Sequence, residues 1–177
     1  MTEPTAIARF GNPVLRQLAR PIGNLQAAER QDLAARLLAA CARSNGVGLA
    51  APQLSASVRA FVVASRPNLR YPHAPLMEPT VMCDPRILER STEMVKDWEG
   101  CLSVDGVRGL VPRHATIAVE FFDRHGDRQQ RELVGFVARI FQHELDHLDG
   151  TLFIDRVESL QELATEEEYL AFLAGPS

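Results

Sequence analysis

The feature that most constrains the fold of this chain is an apolar segment of helical periodicity at residues 135–148, which has an acid among its apolar residues. One face of the predicted helix carries, at helical spacing, Val137, Ile140, Phe141, Glu144 and Leu148. Gly150 follows as a signal for the C-terminal end of the helix. Because a face this apolar must be buried, the acid within it needs a partner that compensates for its burial.

The acid belongs to the pentapeptide His143-Glu144-Leu145-Asp146-His147, which is an H-E-x-x-H pattern. Residues four apart lie one helical turn above each other, so both imidazoles can reach one cation. Glu144 would then face a water molecule on the same metal and could take its proton as the nucleophile forms. The alternative interpretation is a surface helix with two unrelated histidines and an ion-paired glutamate.

A third metal ligand is needed, because a catalytic site of this type takes three protein ligands and keeps one open position. The side chains available for this are Cys101, the carboxylates and three histidines, His73, His114 and His125. No histidine follows Gly150, which excludes the metzincin pattern, whereas Glu158 or Glu162 could be the downstream glutamate of a thermolysin-like site. Cys101 would instead complete a set that favours iron(II), zinc or nickel over magnesium or calcium.

Another segment, Gly46-Val47-Gly48-Leu49-Ala50-Ala51-Pro52-Gln53, combines small residues with one side-chain amide. Small residues let a peptide backbone lie close by. The segment lacks both the Lys-Ser/Thr ending of a P-loop and the G-x-G-x-x-G turn of a dinucleotide site, so a nucleotide-binding loop is excluded. The alternative is a tight turn at the end of a helix, with Gln53 on the surface.

Composition excludes several classes of function. The 177 residues have a net charge of -4 and no long basic run, so nucleic acid is not expected as a substrate. The longest apolar stretches, Leu33–Cys41 and Ala60–Ala64, are too short or too interrupted to cross a bilayer. The three cysteines have no C-x-x-C spacing, which favours a reducing compartment. The length predicts one domain over residues 1–177.

Elsewhere the chain predicts one amphipathic helix, a hairpin, two further strands, a proline-containing loop and a helical tail. In chain order these are the helix Asn24–Asn45, the strand Val58–Ser65, the loop Arg66–Glu78, the strand Pro79–Asp84, the hairpin strands Thr116–Phe122 and Arg131–Val134, and the tail Glu158–Leu173. The acidic run Glu166–Glu168 in the tail is interpreted as a solvated face rather than a binding site.

Three motifs together resemble the signature of the peptide deformylases, namely Gly46–Gln53, Glu99–Ser103 and Gln142–His147, in that order and at similar spacing. The resemblance extends from about Ile7 to Val157 and leaves a variable helical tail from about residue 158. It implies an α+β fold in which antiparallel β-sheets surround the central metal-binding helix. It also implies a hydrolase that removes the N-terminal formyl group from N-formylmethionyl peptides of nascent proteins and releases formate.

The resemblance assigns the chemistry to particular residues. One divalent metal, iron(II) in the native enzyme and zinc, nickel or cobalt as alternatives, would be bound by Cys101, His143 and His147. Glu144 would be the general base. The side-chain amide of Gln53 and the backbone N–H of Leu102 would stabilise the oxyanion that forms when the formyl carbon is attacked.

The resemblance also assigns the surroundings of that chemistry. The substrate would be contacted by Val47, Gly48, Arg108, Phe136 and Ile140. Glu99 and Asp146 would accept hydrogen bonds behind the metal ligands. Arg139 stands where many bacterial deformylases have an aliphatic residue, and Val137–Ile140 resembles the mitochondrial and plant-organelle branch.

The expected partners are nascent N-formyl-Met polypeptides and the ribosome, with no membrane and no nucleic-acid substrate, although the sequence has no basic terminal helix for ribosome contact. The preferred location is the cytoplasm of a bacterium, or an organelle if a transit peptide has been removed. Two other functions stay open: a zinc endopeptidase with a downstream glutamate ligand, and a metal-stabilised module that binds N-terminal peptides without cleaving them.

Overall fold

Two antiparallel sheets and three α-helices make up the part of the chain that the computed structural model describes, residues 6–23 and 27–175. The helices are α1 (Ala27–Arg43), α2 (Gly135–Leu148) and α3 (Glu166–Ala174). The strands are β1 (Gly48–Ala50), β2 (Ala60–Val63), β3 (Thr80–Arg90), β4 (Met94–Cys101), β5 (Val104–His114), β6 (Thr116–Phe122), β7 (Arg128–Val134) and β8 (Leu163–Thr165). None of the described helices has the length and apolarity that crossing a membrane would take.

The five-stranded sheet, in the order β1-β2-β3-β6-β7, lies between α1 and α2. Successive side chains of a strand point to opposite faces. Phe61 and Val63 of β2 therefore pack with α2, whereas Ala60 and Val62 pack with α1. The ring of Phe61 meets that of Phe141 on α2 edge to face, with centroids 5.2 Å apart.

The three-stranded sheet, in the order β4-β5-β8, covers the polar side of α2. Arg139 of α2 donates to the carbonyl oxygens of Val95 on β4 and Val111 on β5 at 2.6 and 2.8 Å. Gln142 accepts from the backbone N–H of His114 at 3.1 Å and donates to its carbonyl at 2.9 Å. The two sheets thus enclose α2, and the predicted α+β class with antiparallel sheets is confirmed.

Two elements have the predicted bounds, and others differ from the prediction at their ends. Helix α2 and strand β6 match their predictions. Helix α1 is described from Ala27, and residues 24–26 of the predicted helix lie outside the described residues. Strand β3 does not stop at Asp84. It continues past Pro85 because a register shift follows Cys83, where Asp84 adopts a φ of 45°.

The prediction of a continuous helical tail is wrong in its first half. Leu163–Thr165 forms β8, which pairs with residues 107–109 of β5, and α3 begins only at Glu166 after the N-cap Thr165. Gly109 makes this pairing sterically feasible, because a Cβ there would lie 2.8 Å from a methyl carbon of Val157. Pairing with the edge of β5 therefore overrides the helical periodicity of the sequence.

Candidate functional site

Helix α2 and the end of β4 bring a thiol and two imidazoles together. His143 and His147 lie one turn apart, with ring centroids separated by 5.1 Å. Cys101 is the last residue of β4, and its Sγ is 3.2 Å from Nε2 of His147. Ligand atoms of the three side chains all lie within 4.8 Å of one another, which is a spacing that one bound cation can bridge.

The other sequence-based choices for a third ligand are placed elsewhere. Nδ1 of His114 is 2.8 Å from the carbonyl oxygen of Ser91. Glu158 and Glu162 both pair with Nζ of Lys96, at 2.5 and 2.6 Å. Within the described ranges, the group of side chains that could hold a metal comprises only Cys101, His143 and His147. The structure therefore disfavours a thermolysin-like ligand set.

The electrostatics of the three side chains fit a metal donor set. Burial by itself raises the pKa of the Cys101 thiol, but the imidazoles of His147 and His143 hold that pKa well below its usual range. The site therefore favours a thiolate, which is the form that binds metals. One thiolate and two imidazoles are donors for iron(II), zinc, nickel or cobalt rather than for magnesium or calcium.

Glu144 lines the pocket above these side chains. It is 4% exposed, and in the described part of the chain its Oε2 is buried without a hydrogen-bond partner. Burial raises the pKa of Glu144 to about 7, although the charges of His143 and His147 act in the opposite direction. A carboxyl group with such a pKa can exchange a proton near neutral pH.

Gly48 lets strand β1 approach Glu144 closely. A Cβ at this position would lie 2.9 Å from both Cδ of Glu144 and Cγ2 of Ile140. Strand β1 is an edge strand of the five-stranded sheet and pairs with β2 on one side. Its other edge is therefore available for backbone pairing next to the acid.

A buried ion network lies behind the imidazole of His143. Nδ1 of His143 lies 2.9 Å from Oε2 of Glu99, and Arg113 donates to both oxygens of that carboxylate at 2.9 and 3.0 Å. Burial raises the pKa of Glu99, but the charge of Arg113 together with the hydrogen bonds to His143 and Arg113 lowers that pKa overall. Glu99 is thus the hydrogen-bond partner of the His143 imidazole on the side away from Cys101 and His147.

Asp146, the other residue expected behind the metal ligands, makes no hydrogen bond to either imidazole in the described part of the chain. Its carboxylate pairs instead with Arg113 at 2.6 Å and with Arg156 at 2.7 Å, so it reaches His143 only through Arg113 and Glu99. The role of Arg113 was not predicted from the sequence. The sequence shows only that an arginine follows the apolar residues Leu110 and Val111, which hints at a buried charge.

Gln53 is held beside Cys101 by hydrogen bonds at both ends of its amide. Its Oε1 accepts from the backbone N–H of Ala50 at 2.8 Å, and its Nε2 donates to Oγ of Ser103 at 3.0 Å. Nε2 also lies 3.6 Å from Sγ of Cys101. Gln53 is 2% exposed, so the alternative that it lies on the surface is wrong.

The residues expected to contact substrate line the same pocket as Gln53, Glu144 and Cys101. They are Val47, Gly48, Arg108, Phe136 and Ile140, and Leu102 lines it as well. Tyr71 was not predicted from the sequence, and its ring lies 4.8 Å from that of Phe136 in the wall of the pocket. Arg139 also lines the pocket and donates to Glu99 at 2.9 Å, which explains how a charged residue fits at this helix position.

Comparison with known proteins identifies the family. Residues 4–163 match the family described as polypeptide deformylase. The chain is a member of the peptide deformylase family. These enzymes remove the formyl group from N-formylmethionyl peptides, so the chain is a hydrolase of that class. Peptide deformylase 2 of Nostoc sp. is 60% identical over 163 residues, which cover 92% of this chain and 91% of the relative.

Solved deformylases share the fold. The class I type b peptide deformylase from Acinetobacter baumannii, crystallised with Met-Ala-Ser bound, superposes with a TM-score of 0.85 at 43% identity, covering 89% of this chain and 100% of that one. The peptide deformylase from Thermotoga maritima gives a TM-score of 0.78 at 34% identity, covering 89% and 100%.

Proposed function

We propose that this deformylase hydrolyses the formamide of formyl-Met peptides with Glu144 as the general base beside a divalent metal held by Cys101, His143 and His147. The observation that carries the proposal is their convergence. A thiol, one imidazole and a carboxylate oxygen without a partner among the described residues lie at one pocket, and the second imidazole lies within 4.8 Å of the thiol and the first. When bound, the metal would supply Lewis acidity and lower the pKa of a water ligand.

The proposed metal is iron(II), with zinc, nickel or cobalt as substitutes. The support is chemical: one low-pKa thiol and two imidazoles form a donor set of intermediate softness. Glu99 supports the ligand His143 from behind, and Arg113 fixes Glu99 with two hydrogen bonds. Such outer contacts orient metal ligands and increase their basicity.

The proton transfers are assigned to Glu144. Its carboxylate takes a proton from the attacking water and later gives one to the amine that leaves, so that formate and a free N-terminal amine are the products. A pKa of about 7 suits both directions of transfer at neutral pH. The side-chain N–H of Gln53 and the backbone N–H of Leu102 are the proposed donors to the oxyanion.

The substrate is proposed to bind as an extra strand along the open edge of β1. Val47 and Gly48 would pair with its backbone, which is a common way for a sheet edge to bind a peptide. The methionine side chain would lie against Val47, Phe136 and Ile140. Arg108 would contact the peptide that follows the methionine.

The proposed setting is the cytoplasm of a bacterium, where formylated chains leave the ribosome. The relatives compared are bacterial deformylases, which supports this setting. The family acts on nascent formylated peptides. Contact with the ribosome itself is part of the proposal, and it would have to use a surface other than a basic terminal helix.

Replacing Gln53 with Leu tests the oxyanion assignment. We expect kcat for formyl-Met-Ala-Ser to fall about 10²–10³-fold, because one donor to the developing negative charge is lost, with KM changed only a few-fold. The measurement is steady-state formate release at equal metal content. Thermal unfolding is followed in parallel, since the variant also removes the acceptor for the Ala50 N–H. A raised KM with an unchanged kcat would contradict the assignment.

A further inference from the structure

We propose that Glu166, in the C-terminal segment, is a positioning residue that holds Arg108 in place for the part of the substrate peptide beyond the methionine. The proposal rests on the proposed function and adds a specificity element to it. It also revises the interpretation of Glu166–Glu168 as a solvated face. Glu167 and Glu168 are exposed, but Glu166 is only partly exposed and makes an ion pair with a buried arginine.

Arg108 is almost completely enclosed and yet lines the substrate pocket. It is 1% exposed, and its Nε donates to Oε2 of Glu166 at 2.7 Å while its Nη1 donates to the hydroxyl of Tyr71 at 2.7 Å. Its Cζ lies 5.4 and 5.1 Å from the ring centroids of Tyr71 and Tyr169. Because a buried guanidinium needs a compensating charge, Glu166 supplies what Arg108 requires in order to stay in this position.

The guanidinium also lies directly against the strand that carries Cys101. Arg108 and Gly100 are opposite each other on β5 and β4, and a Cβ on Gly100 would lie 2.5 Å from Cζ of Arg108. The position of Arg108 is thus fixed within the pocket wall, next to the proposed metal ligand. Glycine at position 100 is what allows this contact.

The C-terminal segment is attached where this contact is made. Ala164 of β8 pairs with Arg108 itself, two residues before Glu166. The hydroxyl of Tyr169 on α3 donates to the carbonyl oxygen of Arg70 at 2.9 Å, and Arg70 also lines the pocket. The tail is therefore joined to two pocket residues by both main-chain and side-chain contacts.

One nitrogen of Arg108 is left for a ligand. Nε and Nη1 each donate a hydrogen bond, to Glu166 and Tyr71. Nη2 makes no hydrogen bond within the described residues, 6–23 and 27–175. An N–H donor of this kind suits a peptide carbonyl oxygen, which is present in formyl-Met-Ala-Ser beyond the methionine. Fixing the guanidinium in advance lowers the entropic cost of making that hydrogen bond.

The test compares Glu166→Gln with the matched control Glu167→Gln on two substrates, formyl-Met-Ala-Ser and formylmethionine amide. Both variants remove one negative charge from the first turn of α3, but only the first removes the partner of Arg108. For Glu166→Gln we expect KM for the tripeptide to rise about tenfold, with kcat and the KM for the amide within about twofold of wild type. Glu167→Gln should match the wild-type protein on both substrates.

A double-mutant cycle checks that Glu166 acts through Arg108. In an Arg108→Gln background, Glu166→Gln should change KM for the tripeptide by less than about twofold, because the group that it positions is gone. For each variant, the KM values for the tripeptide and for the amide are measured on one sample. A loss of folded protein lowers the active concentration for both substrates and so does not change the ratio of the two KM values.

The outcomes separate this inference from the proposed function. The inference on Glu166 would be overturned if Glu166→Gln changed KM equally on both substrates, or if Glu166→Gln and Glu167→Gln behaved alike. Turnover by the wild-type protein would still support the proposed function in either case. If wild-type protein with its metal bound released no formate from either substrate, the proposed function would fail, and this inference with it.

Discussion

Replacing Glu144 with Gln is expected to lower kcat about 10³-fold while the protein keeps its fold and its metal. The Glu144 side chain is 4% exposed, and burial raises its pKa to about 7. A carboxylate with this pKa suits the proposed role of accepting a proton near neutral pH. An amide of the same shape cannot accept that proton. The measurement is formate release from formyl-Met-Ala-Ser, with bound metal quantified on the same samples.

The control for this variant is Glu132→Gln on the exposed strand β7, which should behave as wild type. If Glu144→Gln keeps its metal and retains more than about a tenth of the wild-type kcat, another group must take the proton. Under the alternative of a peptide-binding module, the wild-type protein would already lack turnover and the variant would change nothing.

Replacing Cys101 with Ala is expected to lower metal affinity at least about 100-fold and to remove turnover with it. Two imidazoles hold the pKa of the Cys101 thiol well below its usual range. The thiol is also the third member of the group whose ligand atoms lie within 4.8 Å of one another. The measurement is metal per chain after dialysis, followed by formate release.

Cys83→Ala is the matched control for the loss of a thiol. Cys83 is buried in the apolar cluster beneath α1, where burial raises its pKa to about 11, so it stays a neutral thiol and does not bind metal. Its replacement should leave metal content unchanged. Full metal content in Cys101→Ala would instead favour an endopeptidase-type ligand set with a downstream glutamate.

Helix α2 could be predicted from the sequence because its signal is local. The apolar stripe of α2, its two histidines four residues apart and Gly150 after its end are all readable within sixteen residues, and the observed helix has the predicted bounds. The third member of the candidate metal site has no local signal. Cys101 lies more than forty residues before His143, and it reaches the helix because β4 and β5 pack on α2.

The pocket wall contributed by β4 and β5, and the tail that packs behind it, could not be predicted from periodicity. Strand β4 is largely exposed and mixes charged residues with apolar ones, so it lacks the alternation that indicates a strand. Strand β8 is only three residues long and exists because it pairs with β5. The roles of Arg113 and Glu166 follow from these pairings, since each acts on a partner that is distant in sequence.

Formate release from formyl-Met-Ala-Ser as a function of bound metal tests directly whether this chain is a metal-dependent deformylase. The protein should be purified without oxygen, because iron(II) and a cysteine thiolate both oxidise in air. We predict that turnover rises in proportion to metal per chain, that it is lost on chelation and that it returns when iron(II) is added back. A fully metallated sample that releases no formate would contradict the proposed role of Cys101, His143, His147 and Glu144 in deformylation.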